Sequence, residues 1–273
     1  MDLDLRKLRY FRVLAEHQHF GRAAQQLLIA QPVLSRQIRS LERELGCDLL
    51  CRTTRSVSLT PAGEQLFADS AGVLAAADTA TRRAHEVARG VTRLVVGFAA
   101  GLRVSGAVRA FGKQHPDVEI ALLHLNWYDQ AEAIHDGRVD VGYLREPFDR
   151  DGLSIMPIGT DPMVVCLPAG HRLARRRRIH AGELTDEVRL DPSERRFATM
   201  EEKLELIAAG EGIAILPRSV ARYYARPEIV HRSVVDIEPL ATMLAVAADR
   251  RQRHLRDFLE IAAGSLTGST GQG

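Results

Sequence analysis

One segment near the N-terminus, IAQPVLSRQIRSLERELG at residues 29–46, has the spacing of an α-helix with two unlike faces. Apolar side chains recur every three or four positions along it, which predicts one face buried against a core. The opposite face is short and polar at its start and then repeatedly cationic. A proline suits the first turn and a glycine suits the left-handed C-terminal cap. The apolar face consists of Leu34, Ile38, Leu41 and Leu45, and the outer face of Pro32, Ser35, Arg36, Arg39 and Arg43.

Two further helical segments and a hairpin flank this helix in the sequence. LRKLRYFRVLAEH (residues 5–17) places apolar side chains on one side, and FGRAAQQLL (residues 20–28) has paired alanines that allow close helix approach. A short break at residues 29–31 leads into the two-faced helix. This is the order of a helix-turn-helix motif, whose second helix enters a DNA major groove. The alternating segment LLCRTTRSVSLT (residues 49–60) predicts a β-hairpin that carries arginines, which would form a wing.

The charge of the chain is unevenly distributed. The first 60 residues contain ten Lys and Arg against six Asp and Glu, whereas the whole chain of 273 residues has a net charge of only +2. A basic face on an isolated helix more often serves solubility than binding. A basic N-terminal module joined to a near-neutral remainder is nevertheless the layout expected when one domain binds nucleic acid and the other does not.

In these motifs the chain resembles the LysR-type transcriptional regulators. The resemblance rests on several short motifs that occur together at unbroken spacing, not on any one of them. Leu50 stands where the family usually has Phe, an apolar exchange that predicts altered packing without loss of function. The motifs are Ala23-Ala24, Gln31-Pro32, Ser35-Arg36-Gln37-Ile38, Leu41-Glu42, Leu45-Gly46, Arg52 and Leu59-Thr60-Pro61-Ala62-Gly63.

The resemblance implies which residues contact DNA. The base-reading positions lie at the start of the recognition helix, where Arg36 has donors for a guanine edge and Pro32 an apolar surface for a thymine methyl. Arg39 is better placed for a phosphate. In the wing, Arg55 is expected at the neighbouring minor groove or the backbone, and Arg52 at a phosphate or in an internal ion pair. The expected DNA-binding residues are Gln31, Pro32, Ser35, Arg36, Arg39, Arg52 and Arg55.

A long helix is predicted after the wing. Residues 60–89 are rich in alanine, Thr60 can cap a helix and Pro61 can begin it. About 29 residues extend roughly 43 Å, so the apolar stripe of this helix needs a partner beyond the small winged domain. A solvated linker is one interpretation. The resemblance implies the other, antiparallel pairing of residues 61–90 with a second chain in a homodimer, and further assembly to a homotetramer. The stripe comprises Leu66, Phe67, Val73, Leu74, Ala77 and Ala84.

Strands and helices alternate beyond Gly90, and YDQAEAIHDG (residues 128–137) is one of the predicted helices. This alternation predicts an α/β domain with parallel sheets built from βαβ units. The resemblance extends here more loosely and implies a periplasmic-binding-protein-like effector domain of two α/β subdomains with a cleft between them. Between residues 184 and 207 the chain is shorter than is typical of the family, so part of the second subdomain is expected to be trimmed. The predicted organisation is a winged helix-turn-helix at 1–60, a linker helix at 61–90, the effector domain at 91–264 and a disordered tail at 265–273.

Ligands of open α/β sheets bind beyond the carboxyl ends of strands, and three such ends follow the first strands of this domain. Arg145 is the best candidate for an anionic effector because a planar guanidinium matches a carboxylate; the alternative is an ion pair with Glu146 or Asp149. For Trp127 the alternative is simple packing. Alanines at 99–100 replace the Ser or Thr of many family members, which weakens the prediction of an acidic effector. The expected effector-binding residues are Ala100, Gly101, Leu102, Asn126, Trp127, Tyr143 and Arg145.

The sequence contains no motif typical of catalysis, nucleotide binding or metal binding. The glycines of GFAAGLRVSG match neither dinucleotide-binding nor P-loop spacing, so no enzyme, cofactor or metal is expected. Three cysteines without metal-ligand spacing are expected to be reduced thiols. No apolar run approaches the roughly 20 residues of a membrane span, and the N-terminus lacks a signal peptide, which predicts a cytoplasmic protein. The arginine run HRLARRRR (residues 171–178) favours a solvated loop over a second DNA contact.

The sequence therefore predicts a homo-oligomeric, sequence-specific DNA-binding regulator that is modulated by a small-molecule effector. Two other classes stay open at this level. One is an enzyme or solute-binding module whose basic N-terminal helices only mediate assembly. The other is a nucleoid-type protein, which would bind every duplex with equal affinity.

Overall fold

The three N-terminal helices form because each has one apolar side that packs into a shared core. A computed structural model describes residues 3–52, 57–190, 199–250 and 252–267, without the side chains of residues 52 and 265–267. The first helix begins after Asp4, whose carboxylate accepts the backbone N–H groups of Arg6 and Lys7. The third ends at Gly46, which has the left-handed φ of +71°. The helices are α1 (Leu5–His17), α2 (Phe20–Gln26) and α3 (Gln31–Leu45). Their shared core contains Leu8, Phe11, Leu14, Ala23, Ala24, Leu34, Ile38 and Leu41.

A two-stranded hairpin follows α3. Strands β1 (Leu50–Arg52) and β2 (Val57–Leu59) pair antiparallel, with Leu50 opposite Leu59. Leu50 is buried in the same core as the three helices, so the smaller apolar side chain at this position still packs against the domain. Residues 53–56, which include Arg55, lie outside the described residues, as does the side chain of Arg52.

The long helix α4 (Pro61–Ala88) begins at a tight junction with the wing. The Thr60 hydroxyl accepts the N–H of Gly63 at 3.0 Å and donates to the carbonyl of Asp48 at 2.7 Å. A Cβ at Gly63 would lie 2.1 Å from the carbonyl oxygen of Leu49, so only glycine fits there. The start of α4 therefore packs directly on the chain that leads into the wing.

The chain divides into two compact units, residues 1–89 with 135–138 and the remaining residues. The second unit contains a five-stranded sheet in the order β4-β3-β5-β11-β6. Its first three strands are parallel to one another, and β11 is antiparallel to both of its neighbours. The elements are β3 (Thr92–Ala99), α5 (Ser105–Gln114), β4 (Val118–Leu125), α6 (Glu132–His135), β5 (Val141–Arg145), β6 (Leu153–Asp161), β11 (Leu240–Ala247) and α9 (Arg253–Thr267).

A second sheet has the order β8-β10-β7-β9. The chain enters it through Pro162, directly after β6, and returns to the first sheet at β11. Apolar clusters cover both faces of each sheet, so the second unit has two layered subdomains. The elements are β7 (Met163–Pro168), β8 (Arg178–Ile179), a 3-10 helix (Ala181–Leu184), α7 (Met200–Ala208), β9 (Ala214–Pro217), α8 (Arg218–Tyr223) and β10 (Ile229–Val234).

Three expectations are corrected by this fold. The predicted parallel pairing holds for β3 with β4 and β5 and for β8 with β10, but β11 and the rest of the second sheet pair antiparallel. The helix predicted near residues 128–137 is reduced to Glu132–His135, because the preceding residues form a turn. Of the tail predicted to be disordered, residues 265–267 continue α9, and 268–273 lie outside the described residues.

Candidate functional site

The outer face of α3 is exposed and cationic. Gln31, Pro32, Arg36 and Arg39 are exposed, and Ser35 is half-buried. Within the described part of the chain, the guanidinium groups of Arg36 and Arg39 make no hydrogen bond or ion pair. Both groups therefore keep all of their donors for an external acceptor, and an arginine fork matches either a phosphate or the edge of guanine.

Two sets of polar contacts hold α3 in place. Glu42 is buried on its inner face, and its Oε1 accepts the backbone N–H of Leu49 at 3.1 Å. Lys7 of α1 donates to Ser40 Oγ at 3.2 Å and pairs with Glu44. The first contact fixes the recognition helix against the strand that begins the wing, and the second fixes it against α1. These positioning roles of Glu42 and Lys7 were not predicted from the sequence. The position of an acidic residue, Glu42, on the apolar face of the helix was a signal that its side chain has a buried partner.

The start of α3 is open. Ala30 is its N-cap residue and supplies no side-chain acceptor for the first N–H groups. Gly21, at the start of α2, lies close enough that a Cβ there would be 3.9 Å from Gln31 Oε1. The N-terminal ends of α2 and α3 are thus adjacent, as in helix-turn-helix proteins that set the first helix across the DNA backbone. The wing residues Arg52 and Arg55 remain predictions because their side chains lie outside the described part of the molecule.

In the second unit, the turn after β3 is held by α8. Gly101 has a φ of +81°, and a Cβ there would lie 2.5 Å from the carbonyl carbon of Ser219. Only glycine satisfies both the backbone conformation and this close approach. Ala100, Gly101 and Leu102 are each half-buried, so this turn forms part of the wall between the two subdomains.

Arg145 lies at the centre of a buried polar network between the subdomains. It is 0% exposed. Its Nε and Nη2 donate to Asp161 Oδ2 at 3.1 and 2.8 Å, and Nη2 also donates to the carbonyl of Ala100 at 3.1 Å. Burial lowers the pKa of the guanidinium, and the Asp161 carboxylate opposes that shift. The guanidinium is therefore held by a carboxylate of this chain.

Ser219 completes the network from the second subdomain. Its hydroxyl accepts Arg145 Nη2 at 2.7 Å and donates to Asp161 Oδ2 at 2.6 Å. Its backbone N–H donates to Asp161 Oδ1 at 3.0 Å, so the same carboxylate also satisfies the start of α8. Arg145 is therefore in an ion pair, which was the alternative prediction for it, but its partner is Asp161. Glu146 pairs instead with Arg150.

The loop after β4 is tied to Arg145 through Gln130. The Gln130 amide accepts the backbone N–H of Arg145 at 2.8 Å and donates to the carbonyls of Arg145 and Trp127 at 3.0 and 3.1 Å. Asn126 is exposed, and Trp127 is 43% exposed. The loop is therefore fixed at Gln130 and exposed at Asn126 and Trp127. Sequence reasoning missed Gln130, Asp161 and Ser219, which are distant from Arg145 in the sequence.

Tyr143 is a correction to the expected effector site. Its side chain is 2% exposed and packs in the apolar cluster of the first sheet, and burial raises the pKa of its hydroxyl. It offers no surface to a ligand. The structure thus brings Ala100, Gly101 and Arg145 together at Ser219 and links Trp127 to them through Gln130, whereas Tyr143 is a core residue.

The described residues offer little support for other site chemistry. They contain no group of three or more His, Cys, Asp and Glu placed to bind a metal ion. No helix among them combines the length and apolar character needed to span a membrane. Cys47 and Cys51 are exposed free thiols, and burial raises the pKa of Cys166 to about 12. Cys166 is consequently protonated and unreactive at neutral pH.

Comparison with known proteins identifies the family. A model described as bacterial regulatory helix-turn-helix protein, lysR family, matches residues 5–64, and one described as LysR substrate binding domain matches residues 85–196. The Hca operon transcriptional activator HcaR of Escherichia coli (strain K12) is 30% identical over 98% of this chain and 100% of its own length. The HTH-type transcriptional regulator YnfL of the same strain is 36% identical over 81% of this chain and 84% of its own.

A solved structure shows the same fold. The crystal structure of CbnR, a LysR family transcriptional regulator, aligns with a TM-score of 0.69 at 24% identity over 97% of this chain and 99% of that one. The matches cover both the helix-turn-helix and the substrate-binding region, and the relatives are regulators rather than enzymes. The chain belongs to the LysR family of DNA-binding transcriptional regulators.

Proposed function

We propose that this regulator recognises its operator through the N-terminal part of the outer face of α3, residues 31–39. The observation that carries the proposal is the pair of exposed, unpaired guanidinium groups of Arg36 and Arg39 on a helix fixed from behind by Glu42 and Lys7. Arg36, with Gln31, Pro32 and Ser35, contacts base edges near the helix start. Arg39, one turn further along, contacts a phosphate. Arg52 and Arg55 of the wing contribute further backbone or minor-groove contacts.

Fluorescence anisotropy on duplex DNA from upstream of its own gene, compared with scrambled duplex across a salt series, tests this assignment. Arg36→Ala should weaken upstream binding by about 1–3 kcal/mol and affect scrambled DNA far less, since a base contact carries specificity. Arg39→Ala should weaken both duplexes alike and reduce the salt slope by about one. Arg43→Ala is the matched control on the same helix, because Arg43 Nε bonds to the helix backbone at Arg39.

Two results would contradict the proposal. If the wild-type protein binds upstream and scrambled duplex with equal affinity and equal salt slope, only phosphates are recognised and the nucleoid-type alternative holds. If Arg36→Ala and Arg43→Ala have the same small effect, base recognition lies elsewhere on the molecule.

The second element of the proposal is a homodimer formed through α4. The helix buries one face of its first half against α1, with Ser70 and Leu74 in the contact. A different face remains exposed along its length, with Val73 42% and Val87 79% exposed. Apolar residues on that face are spaced by three and four positions, as in a paired helix. They are Val73, Ala76, Ala80, Ala84 and Val87.

Size-exclusion chromatography with light scattering tests the dimer. Ala84→Glu places a charge in the middle of the exposed stripe and should shift the mass toward the monomer. Ala68→Glu introduces the same charge on another exposed face of α4 and should leave the mass unchanged. An unchanged mass for both variants, or a monomeric wild-type protein, would refute pairing through this face.

The third element is a small-molecule effector bound between the two subdomains of the second unit. In this proposal Ala100, Gly101, Leu102, Asn126 and Trp127 contact the effector, and Arg145 lies behind them. Because Asp161 already bonds the guanidinium, Arg145 shapes the site instead of presenting a free cation. Effector binding would alter the placement of the DNA-binding units on spaced half-sites.

Trp127 is the only tryptophan of the chain, so its fluorescence reports directly on this site. Titration with a panel of small carboxylates and their neutral amides should produce responses that do not favour the acids. Trp127→Phe removes the signal, and binding is then followed by calorimetry. A response restricted to carboxylates would show that Arg145 binds the ligand directly and would refute the shaping role.

A further inference from the structure

The arginine loop, residues 171–178, is fixed to the second subdomain. Leu173 and Ala174 in its middle are buried, and Ile179, which follows it in β8, is 0% exposed. The carbonyl of Ala174 accepts Arg232 Nε at 2.8 Å. The loop is therefore anchored at its centre and at its end, and the arginines between those anchors are held in place on the surface.

Two of its five arginines are neutralised within the subdomain. Arg172 Nη2 lies 2.8 Å from Glu187 Oε1, and Arg176 Nη2 lies 3.6 Å from Glu183 Oε2. His171 also approaches Glu187, at 3.1 Å. Glu183 and Glu187 are thus already bonded to residues of this loop.

The other three arginines, Arg175, Arg177 and Arg178, are exposed, and we call them the free-arginine set. Within the described ranges of the chain none of their guanidinium groups makes a hydrogen bond or an ion pair. Three like charges held within four residues repel one another, and an anionic partner removes that repulsion. Protection of the sheet edge explains a charge at Arg178, which begins the edge strand β8, but not the other two.

We propose that the free-arginine set is a second DNA-contact surface of this regulator, one that binds phosphates without reading sequence. Duplex DNA is the polyanion that the protein binds as a member of its family, and it carries one charge per about 1.7 Å of helix axis. An arginine fork forms paired hydrogen bonds with phosphate oxygens. A surface in the same chain as a DNA-binding unit meets bound DNA at high effective concentration, so weak phosphate contacts still add to affinity. This inference rests on DNA binding by the family and not on the operator residues assigned above.

The test is the salt dependence of DNA binding by the full-length protein. The variant Arg175→Gln/Arg177→Gln/Arg178→Gln should lower the slope of log K against log salt by about 0.9 for each phosphate that the protein no longer neutralises. The ratio of upstream to scrambled affinity should stay unchanged. The matched control is Arg103→Gln/Arg109→Gln/Arg222→Gln, which removes the same charge from scattered exposed positions of the same unit. A second variant, Arg177→Glu, gives an independent reading if the triple variant is poorly folded.

The proposal holds if the slope falls for the triple variant or for Arg177→Glu and stays at the wild-type value for the scattered control. An equal fall in all variants overturns it, since the effect would then be one of net charge. An unchanged slope overturns it as well. If the slope is unchanged but transcription with purified RNA polymerase is reduced, the surface binds an acidic protein instead of DNA.

Discussion

Replacing Asp161 with alanine should destabilise the second unit more than any surface substitution in it. Arg145 is fully buried, and Asp161 is its carboxylate partner, at 2.8 Å. Removing one partner of a buried ion pair costs about 3–5 kcal/mol because the remaining charge is left without compensation. Asp161→Ala also leaves the Ser219 N–H, at the start of α8, without the carboxylate that accepts it. A loss of about 4 kcal/mol lowers the melting temperature of a domain this size by roughly 8–16 °C.

Urea unfolding followed by tryptophan fluorescence measures this loss in the correct unit, because Trp127 is the only tryptophan and lies in it. Asp186→Ala removes an exposed carboxylate of the same unit and should change stability by no more than about 0.5 kcal/mol. The double variant Arg145→Leu/Asp161→Leu should recover much of the loss, since it leaves no charge buried alone.

A loss below about 1 kcal/mol for Asp161→Ala would refute the reasoning, since that is the value of an exposed ion pair. It would mean that water reaches Arg145. A double variant as unstable as the single one would refute it in another way. In that case side-chain packing, and not the uncompensated charge, would account for the loss.

Three further outcomes are expected. Ala30→Ser supplies the missing cap of α3 and should stabilise the first unit by about 1 kcal/mol in a thermal melt followed by circular dichroism, with no gain for Ala30→Val. Glu42→Leu leaves the Leu49 N–H without its acceptor, so stability should fall by about 1–3 kcal/mol and DNA affinity should fall with it; unchanged values would show that the contact is dispensable. Burial lowers the pKa of His231 from its ordinary 6.5, and the charge of Arg232 lowers it further. The neutral imidazole therefore contributes to folding stability above pH 6.5, and this contribution is lost as the pH falls below that value. The urea concentration at the unfolding midpoint should fall when the pH is lowered from about 7.5 to about 5.5, and His231→Phe should reduce this fall.

The N-terminal unit was largely predictable because its information is local. The spacing of Leu34, Ile38 and Leu41 defines both the helix and the face that it buries. Pro32 and Gly46 mark its ends, and Thr60 marks the start of the long helix. Each of these signals acts within a few residues, so no knowledge of the tertiary fold is needed to read it.

Strand direction and network partners were not predictable in this way. A run such as ATMLAVAA indicates a buried strand, but nothing within it specifies that β11 lies antiparallel between β5 and β6. The same holds for Arg145. Glu146 and Asp149 are the nearest acids in sequence, yet the partner is Asp161. Strand β11 pairs with both β5 and β6, and this pairing brings Arg145 and Asp161 to the same end of the strands. The turn at Gln130 likewise forms because its side chain bonds the Arg145 backbone, a contact that shortens the predicted helix.

Two independent features bear on the chemistry of the proposed effector. Many family members have Ser or Thr after the first strand, whereas this chain has alanines at 99–100, so hydroxyl donors are missing there. At the other side of the site, Asp161 bonds the guanidinium of Arg145 and the N–H at the start of α8, which are the two groups that would otherwise attract an acid. A ligand carboxylate would have to displace a buried carboxylate that is connected to the chain and pays no entropy of association. Both features therefore favour an effector whose recognition depends on apolar contact and neutral hydrogen bonds, with the half-exposed ring of Trp127 as one apolar surface for it.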